Sequence, residues 1–469
     1  MITNVVIFGT GLFYSRRKYN LPKQTNIIAF IDNDITIQGK SIDDISVFAP
    51  SAVLELNYDI IILASNSAIQ MRNQLISMGV LKEKIIFWEQ FVSSKSHGII
   101  KKYGIDQVQK GHKILILVPV INFAGGFMTA LYAALALKSK GYYIVIAAPT
   151  ANNETLLEVK DYGINIWICP ALPYIEEVEM KWILDFDYVL VNSLQNMICV
   201  DKIKSKKSVI WWLHEHSRQY KDIIEQYGFD IDFTMFNHNK TLAVSEIAKN
   251  NFLKYYPKFE ISILTLGLPD FYIKPKYPHK KIIFTIIGNI SELKNQKELV
   301  NAIKMLSLEE ICKIECWIIG RDGGKKYREE LEEMIKNIDQ IKIVGEKSRK
   351  EMERIFQQVD IVVCTSLEET MSISIIEGLM NKKICITNTN TGIANFIENN
   401  KNGLIYEANN VNDLKLKIKY TIQNFDSLNY IREKARSTYL KFFSMEIFAN
   451  NLQQIIKESN LVCNNSTNE

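Results

Sequence analysis

The chain alternates short apolar runs with helix-length amphipathic stretches almost from end to end. Strands of a parallel sheet are covered by helices on both faces, so in the sequence they appear as continuous apolar runs. Regular alternation of such runs with amphipathic stretches is typical of parallel sheets packed between helices. The predicted fold class is therefore α/β.

Four short apolar runs predict a first domain. They lie at 5–8, 27–31, 60–63 and 85–88, and the first leads into the turn Gly9-Thr10-Gly11. Strands and turns at this spacing predict a small Rossmann-like accessory domain over residues 1–95. The polar stretch that follows predicts a linker over 96–111.

Two longer units follow, and each begins with an apolar strand that leads into a turn and a helix. The starts are Lys113, with the run ILILVPV, and Lys281, with IIFTIIG. They predict two Rossmann-like domains of similar size over 112–272 and 273–440, followed by a last helix and polar tail over 441–469. Between the two domains, the Pro- and charge-rich residues 269–280 are typical of a hinge.

Charge and hydropathy exclude two classes of protein. The 469-residue chain carries 56 basic and 52 acidic residues, and its formal net charge of +4 is too weak for the positive surface that duplex nucleic acid requires. No apolar run reaches the roughly 18 residues of a spanning helix, and the first residues lack the basic region of a signal peptide. We expect a cytoplasmic protein, and the basic segment 202–207 leaves open a peripheral contact with the inner face of the membrane.

Two glutamates eight residues apart are the main candidates for ligand contacts. Glu369 and Glu377 lie in SLEETMSISIIEGLM, where a loop enters an apolar helix. A helix N-terminus presents free N–H groups and a positive dipole end that suit a phosphate, and carboxylates beside it can accept hydrogen bonds from sugar hydroxyls. Ser374 and Glu377 also fit a capping box, in which Glu377 only stabilises its own helix. The spacing alone leaves both interpretations open.

Three further loops carry candidate residues. Lys294 follows the IIFTIIG run at the predicted carboxyl edge of a sheet, where its charge can pair with a diphosphate, unless it is an ordinary surface lysine. Gly125 and Gly126 let backbone amides approach a ligand, or form a plain turn. His214, with Glu215 second, ends an aromatic-rich strand and can hydrogen-bond a sugar, unless it is only a packing residue.

Together these elements resemble the retaining GT-B glycosyltransferases of family 4, over about residues 112–455. The resemblance is carried by the strand–Gly–x5–Lys loop, by IIGRDGG, VGEKSRKEMERIFQQVDIVVCTS and TGIANFIENNKNGLIYE, and by the E-x7-E. It implies two Rossmann-like domains facing a cleft, a nucleoside diphosphate sugar as donor, transfer with retention, no required cofactor, and a terminal helix that crosses back.

The resemblance also implies roles for the site residues. Glu377 would accept from ribose hydroxyls, Glu369 would contact the donor sugar, and Lys294 would hold the diphosphate. His214 stands at the strand end where a His is common in the family. The other implied donor contacts are the amides of Met371, Ser372, Ile373 and Ser374 together with Gly125 and Gly126 near the diphosphate, and Val344 and Gly345 near the base.

Two positions depart from the family pattern. Asn289 stands where the family usually has Arg, and Arg321 is the candidate that partly replaces the missing charge. Thr370-Met371-Ser372 stands where the family usually has Gly-Phe-Gly, so the backbone there has less freedom.

Metal ligands are not expected. The segments 185–187 and 230–232 both read D-x-D, a pattern that can bind a divalent ion through a sugar diphosphate. However, Asp187 directly precedes an apolar run, as is common where a chain enters a strand. No His or Cys spacing suits zinc.

The first domain has a partial dinucleotide fingerprint. Gly9-Thr10-Gly11 is followed by Asp32 at the end of the next strand, but Tyr14 stands where the third Gly belongs. Tyr14 and Lys18 form a Tyr-x-x-x-Lys pair, which begins inside this turn and which we interpret as chance spacing. The domain resembles small Rossmann-like domains joined to sugar-modifying and capsule-assembly proteins, and either nucleotide binding or homo-oligomer formation would suit it.

The leading hypothesis is a metal-independent, retaining glycosyltransferase of hexosyltransferase type. Its donor would be a nucleoside diphosphate sugar, and its acceptor a saccharide, lipid-linked or protein acceptor in bacterial surface glycan biosynthesis. Two alternatives stay open: a non-catalytic GT-B partner subunit, and an NAD-dependent sugar-nucleotide oxidoreductase or epimerase that acts through the first domain.

Overall fold

The computed structural model describes residues 2–65, 67–104, 111–123, 125–172, 174–204, 206–207, 209–227, 239–274 and 280–465. The D-x-D of 230–232, part of the predicted linker (105–110), part of the predicted hinge (275–279) and the last residues of the polar tail lie outside these ranges. Within them, each helix is too short or too polar to cross a bilayer.

Contacts divide the chain into two units. Unit 1 comprises Met1–Phe123, Tyr143–Val209 and Arg218–Asn239, and unit 2 comprises Ala124–Tyr142, Ile210–Ser217 and Lys240–Glu469. The five-part division by sequence boundaries stays a prediction.

The first sheet of unit 1 has six strands in the order β3-β4-β2-β1-β5-β6. The strands are β1 (Thr3–Phe8), β2 (Thr25–Ile31), β3 (Ser41–Ile42), β4 (Ile45–Phe48), β5 (Ile60–Leu63) and β6 (Ile85–Phe87), and the helices are α1 (Leu12–Arg17), α2 (Ala68–Ser77) and α3 (Trp88–Ser94). All pairs are parallel except β3 with β4. Val5 and Ile7 enter one core cluster and Val6 and Phe8 another, because successive side chains of a strand point to opposite faces of the sheet.

Unit 1 contains five further paired strands, in the order β11-β8-β9-β10-β7. They are β7 (Lys101–Tyr103), β8 (Lys113–Leu117), β9 (Tyr143–Ala148), β10 (Asn165–Ile168) and β11 (Tyr188–Asn192), and the helices are α5 (Asn153–Val159), α6 (Glu177–Leu184), α7 (Met197–Ile203) and α8 (Ser217–Tyr227), whose first residue belongs to unit 2. Strand β7 lies inside the predicted linker and pairs antiparallel with β10. The linker prediction therefore missed a strand.

Unit 2 begins with α4 and three parallel strands in the order β14-β13-β12. These elements are α4 (Gly125–Ser139), β12 (Ile210–Leu213), β13 (Lys240–Ala243), α9 (Glu246–Tyr255) and β14 (Ser262–Ile263). The terminal helix α17 (Met445–Asn465) packs on α4, where Lys140 Nζ donates to Asn450 Oδ1 at 2.7 Å. The Phe448 ring also lies 5.6 Å from that of Trp212. The last helix thus returns to elements that precede residue 272 in the chain.

The other sheet of unit 2 has six strands, all parallel, in the order β17-β16-β15-β18-β19-β20. The strands are β15 (Ile282–Ile287), β16 (Ile314–Ile319), β17 (Ile341–Gly345), β18 (Ile361–Val363), β19 (Ile384–Asn388) and β20 (Leu404–Tyr406), and the helices are α10 (Gln296–Lys304), α11 (Leu308–Ile311), α12 (Lys325–Ile335), α13 (Arg349–Gln358), α14 (Ile373–Met380), α15 (Val411–Asn424) and α16 (Asn429–Phe442). The strand order reverses between β15 and β18. Ligands of open α/β sheets bind outside the carboxyl ends of the strands at such a point.

Candidate functional site

The loops after β15 and β16 are locked together at the carboxyl edge of the sheet. The Gly288 amide donates to the Ile319 carbonyl at 2.9 Å, and the Ile290 amide donates to the Arg321 carbonyl at 2.9 Å. Gly320 has φ +152°, and a Cβ there would overlap the Gly288 carbonyl oxygen. The backbone after β15 is therefore fixed by close packing that needs glycine.

Lys294 is held by this loop with its charge directed at a carboxylate. Its stem packs on Gly288, where an added Cβ would meet Cε at 3.4 Å, and its Nζ contacts Glu369 Oε2. The Thr365 hydroxyl lies 2.9 Å from both the Lys294 and Asn295 carbonyls and fixes the end of the loop. Burial acts to lower the pKa of Lys294, but the Glu369 carboxylate outweighs it and the pKa lies above its ordinary value. The lysine stays a cation.

Glu369 lines a small cavity at the N-terminus of α14. Its Oε2 also accepts a hydrogen bond from the Ser366 hydroxyl at 3.2 Å. Its backbone is tied to the loop after β19, because the Gly392 amide donates to its carbonyl at 2.8 Å. The cavity lining includes Lys294, Ser366, Glu369, Ser372 and Ser374. A cation, a carboxylate and hydroxyls thus meet at the N-terminus of α14.

The start of α14 decides between the two interpretations of Glu377. The N-cap is Ser372, whose hydroxyl accepts from the Ile375 amide at 3.4 Å and lies 3.1 Å from the Ser374 hydroxyl. The alternative capping box of Ser374 and Glu377 is therefore wrong, because the helix begins two residues earlier than that box requires. Met371 precedes the cap and is buried.

Glu377 is bound to an arginine instead. Its side chain is 8% exposed, and its Oε1 accepts from Arg349 Nη1 at 2.6 Å. The Arg349 guanidinium also lies 4.0 Å from the centre of the Phe271 ring. Burial raises the pKa of Glu377, and the arginine partly offsets that rise. Arg349 is a site residue that was not predicted, because the capping box of Ser348 and Glu351 marks the start of α13 but carries no sign of the ion pair with Glu377.

Four other predicted residues lie at the same edge of the sheet. Val344 and Gly345 end β17 and are half-buried, and the Gly345 carbonyl accepts from the Gly320 amide at 3.0 Å. Asn289 and Arg321 have exposed side chains and backbone atoms fixed by the locked loops. The structure brings all four to the end of the sheet where Lys294 lies.

Gly125 and Gly126 form the first turn of α4. An added Cβ on Gly125 would lie 4.0 Å from Cδ1 of Ile373, the first residue of α14. Ala124 lies outside the described residues. Two helix N-termini therefore come close together in unit 2, and each carries the positive end of its helix dipole.

His214 is attached to the loop that carries Glu369. The Thr370 hydroxyl donates to the His214 carbonyl at 2.8 Å, and the ring packs on Trp212 with the ring centres 4.4 Å apart. Its Nε2 is buried and has no hydrogen-bond partner among the described residues. Burial lowers the pKa of His214 to about 3. The imidazole is neutral at physiological pH, so it can accept or donate one hydrogen bond but is a weak base. The second choice, Glu215, is buried and accepts from the His214 amide at 3.0 Å.

The neighbouring Glu368 has a different environment. It accepts from the Ser217 amide at 2.8 Å, from the Ser217 hydroxyl and from Asn251 Nδ2. Burial acts to raise its pKa, but the donated hydrogen bonds hold the pKa below its ordinary value. Of the two adjacent glutamates, Glu368 fixes the start of α8 and Glu369 lines the cavity.

The fingerprint turn of the first domain is satisfied internally. Thr10 donates its amide and its hydroxyl to Asp32 Oδ2, at 2.8 and 2.7 Å. Tyr14 and Lys18 both bind Asp43, at 2.8 and 2.6 Å. Burial and the Asp43 carboxylate raise the pKa of Tyr14, which makes its phenol harder to deprotonate. Nothing in this geometry favours an oxidoreductase.

Carboxylates do not converge on a cation site in the described parts of the chain. No group of three or more His, Cys, Asp or Glu side chains there could hold a metal ion. Asp187 Oδ2 accepts from the Lys113 amide at 2.6 Å, which fits a carboxylate at the start of a strand.

Known proteins resemble the chain in parts. Residues 271–438 match the family Glycosyl transferases group 1, and residues 1–86 match the family C2185-like, N-terminal. An uncharacterised glycosyltransferase of Methanocaldococcus jannaschii is 28% identical over 136 residues, 29% of this chain and 38% of that protein. The poly(ribitol-phosphate) alpha-N-acetylglucosaminyltransferase of Staphylococcus aureus is 25% identical over 337 residues, 66% of this chain and 63% of that protein. The chain thus spans less than two thirds of either relative.

Solved structures share the fold. The crystal structure of Anabaena Alr3699/HepE in complex with UDP matches with a TM-score of 0.63 at 14% identity, over 74% of this chain and 100% of that one. The predicted α/β fold class of GT-B type is therefore confirmed. The family match and the two relatives support a glycosyltransferase function.

Proposed function

We propose that the chain is a retaining, metal-independent glycosyltransferase of family 4. It would transfer a hexose from a nucleoside diphosphate sugar to a saccharide, lipid-linked or protein acceptor in bacterial surface glycan biosynthesis. The observation that carries the proposal is the Lys294–Glu369 pair beside the N-terminus of α14. A cation and free amides suit a diphosphate, and a carboxylate suits sugar hydroxyls.

The chemistry required is mainly electrostatic. The bond between the anomeric carbon and the diphosphate oxygen breaks with its electron pair on the diphosphate. A new bond to the acceptor oxygen forms on the same face of the sugar, and the acceptor hydroxyl passes its proton to the departing diphosphate oxygen. Lys294 and the amides at the N-terminus of α14 would stabilise the charge that grows on the diphosphate, and fixed groups need no reorganisation to do so.

Glu377 would bind the nucleotide part of the donor. A carboxylate beside a nucleotide accepts hydrogen bonds from ribose hydroxyls, and the ion pair with Arg349 holds Glu377 in one position. Val344 and Gly345, at the same edge of the sheet, would lie near the base. Two crystal structures of Anabaena Alr3699/HepE support UDP, because one contains UDP and the other contains UDP-glucose. The name of the S. aureus relative supports a polymeric acceptor.

Calorimetry with UDP and slow hydrolysis of UDP-sugars test the proposal. We expect saturable UDP binding, together with release of UDP from at least one UDP-sugar by the purified chain. UDP binding without release from any donor would favour the non-catalytic partner subunit. No binding of UDP or of any other nucleoside diphosphate would overturn the proposal.

A further inference from the structure

A cavity of about 1120 Å³ lies wholly within unit 1. One wall comes from residues just after β8, β9, β10 and β11, which is the carboxyl edge of that sheet. The opposite wall comes from the first domain: α1 with the loop that follows it, the start of α2, and α3. The volume exceeds the roughly 300–1,000 Å³ of a usual small-molecule site, so it suits an extended ligand.

The charge on the two walls is unequal. The ionisable acids and bases of the lining are four cations, Arg17, Lys23, Lys95 and Lys101, and two acids, Glu89 and Asp222, which gives a net charge of 4 − 2 = +2. Arg17, Lys23, Lys95 and Glu89 lie on the first-domain wall, which has a net charge of 3 − 1 = +2. Lys101 and Asp222 lie on the facing wall, where their charges cancel, because Lys101 belongs to strand β7, which pairs with β10.

Most of this positive charge is uncompensated. Arg17 lies 3.8 Å from Glu89 and is thereby engaged. Lys23, Lys95 and Lys101 are exposed, and none forms an ion pair with a carboxylate in the described residues. Three unpaired lysines around a large concave site favour a ligand with several negative charges.

The remaining lining is that of a sugar site. Aromatic rings at Tyr19 and Tyr103 offer flat apolar surfaces, and amide side chains at Gln70, Asn153 and Gln195 offer both donors and acceptors. Such amides can satisfy sugar hydroxyls, which also donate and accept. The cavity therefore combines groups for a saccharide with charges for an anion.

We propose that this cavity is the acceptor site, that the first domain forms one of its walls, and that the acceptor is a saccharide or polyol chain that carries phosphate groups. The inference rests on the proposed glycosyltransferase function. A soluble phosphodiester polymer and a saccharide on a lipid diphosphate share the required chemistry. The first domain is then a part of the acceptor site, and it selects acceptors by charge.

A triple variant tests the three lysines that form no ion pair in the described residues. Lys23→Gln, Lys95→Gln and Lys101→Gln are combined, and the control combines Lys40→Gln, Lys160→Gln and Lys181→Gln, three exposed lysines of unit 1 outside the cavity. The probes are a glycerol phosphate oligomer, a short-prenyl diphosphate disaccharide and neutral maltohexaose, and binding is measured by calorimetry with UDP titrated in parallel.

The variant should bind at least one phosphate-bearing probe about tenfold or more weakly than the control, because each lost charge pair contributes modestly and there are three. UDP affinity should stay within about twofold of the control, since the lysines belong to unit 1 and line a cavity that shares no residue with the small cavity beside Lys294 in unit 2. Loss with the oligomer alone identifies a polymer acceptor, and loss with the diphosphate alone identifies a lipid-linked one. Equal affinity of variant and control for both phosphate-bearing probes would overturn the inference. Absence of UDP binding in the unmodified chain would overturn the proposed function. The comparison of variant and control with the phosphate-bearing probes could still be interpreted, because it does not depend on UDP.

Hydrogen exchange of the unmodified chain tests the two walls without any substitution. The glycerol phosphate oligomer or the prenyl diphosphate disaccharide should slow exchange both at 19–24 and at 149–153, one segment from each wall. Protection of only one segment, or of neither, by both probes would contradict a site that the two domains share.

Discussion

The turns after β1 and after β15 begin alike and end differently. Each follows a buried strand, and each has a glycine with positive φ, +104° at Gly9 and +153° at Gly288. In the first turn, Thr10 gives its amide and hydroxyl to Asp32. In the second, Lys294 reaches a carboxylate from a distant loop, Glu369. The strand–Gly–helix turn is shared, so the turn alone does not identify a ligand site.

The difference lies in what a ligand could replace. In the first turn, the Thr10 amide and hydroxyl and the Asp34 amide donate to the Asp32 carboxylate, and this contact includes no cation that could pair with a phosphate. A lysine and a glutamate held together can each turn to a ligand that carries both negative charge and hydroxyl donors, so the ligand exchanges one set of partners for another. The second turn also lies near two helix N-termini, whereas α1 spans only six residues.

Lys294→Ala should have the largest effect. Removing one group that stabilises developing charge lowers turnover by about tenfold or more. Turnover is measured at saturating donor, and the melting temperature is recorded to verify folding. Lys297→Ala is the matched control. Lys297 lies three residues after Lys294 and forms an ion pair with Glu330. Equal turnover of the two variants would remove the distinction between the two turns.

Glu377→Gln should act on nucleotide affinity. The amide keeps the shape of the side chain but loses the charge that pairs with Arg349 and accepts from ribose, so UDP affinity should fall by about tenfold. Calorimetry measures it, with the exposed Glu353→Gln on the neighbouring helix α13 as control. Unchanged UDP affinity would mean that Glu377 only holds α13 and α14 together.

The sequence predicted the buried strands well and the polar edges badly. Strands such as β1, β8 and β15 are continuous apolar runs, because parallel strands are covered on both faces. Strand β7, which was missed, is an edge strand with two exposed lysines, so its sequence is not a continuous apolar run. The missed β3 spans two residues, too few for any periodicity.

The site was predicted in the same uneven way. Lys294, Glu369 and Glu377 follow strands or begin a helix, and such positions can be read from local pattern. Arg349 and Glu368 could not be assigned, since their roles depend on partners that are distant in sequence: Arg349 reaches Glu377, and Glu368 reaches Ser217 and Asn251. The local pattern at the start of α14 also allowed a capping box of Ser374 and Glu377. In the structure, Ser372 caps the helix and Glu377 binds Arg349.

The third prediction concerns how stability depends on pH through His214, which is attached to the loop that carries Glu369. Its folded pKa of about 3 lies below the usual value of 6.5, so the unfolded chain binds a proton that the native chain refuses. Stability from this group is complete above pH 6.5 and falls as the pH drops towards 3. Between pH 7 and pH 5, the unmodified chain should lose about 2 kcal/mol more stability than His214→Gln, measured by urea unfolding. His112→Gln, at an exposed site, is the control. Identical pH profiles for the unmodified chain and His214→Gln would mean that the ring takes up its proton at the same pH in the native and the unfolded chain.

Thr10→Val tests the closed turn and should have the smallest effect. The change removes a 2.7 Å hydroxyl–carboxylate hydrogen bond and leaves the amide bond to Asp32, so the free energy of unfolding should fall by about 0.5–1 kcal/mol. Thr36→Val is matched, because the Thr36 hydroxyl donates to Asp34 at 2.7 Å at an exposed site, and its loss should be smaller. Turnover and UDP affinity should not change in either variant. Saturable NAD binding by the unmodified chain that Thr10→Val strengthens would show that Asp32 exchanges its partners for a ribose. The turn after β1 would then be a second ligand site of the same kind as the turn after β15, and the contrast between them would vanish.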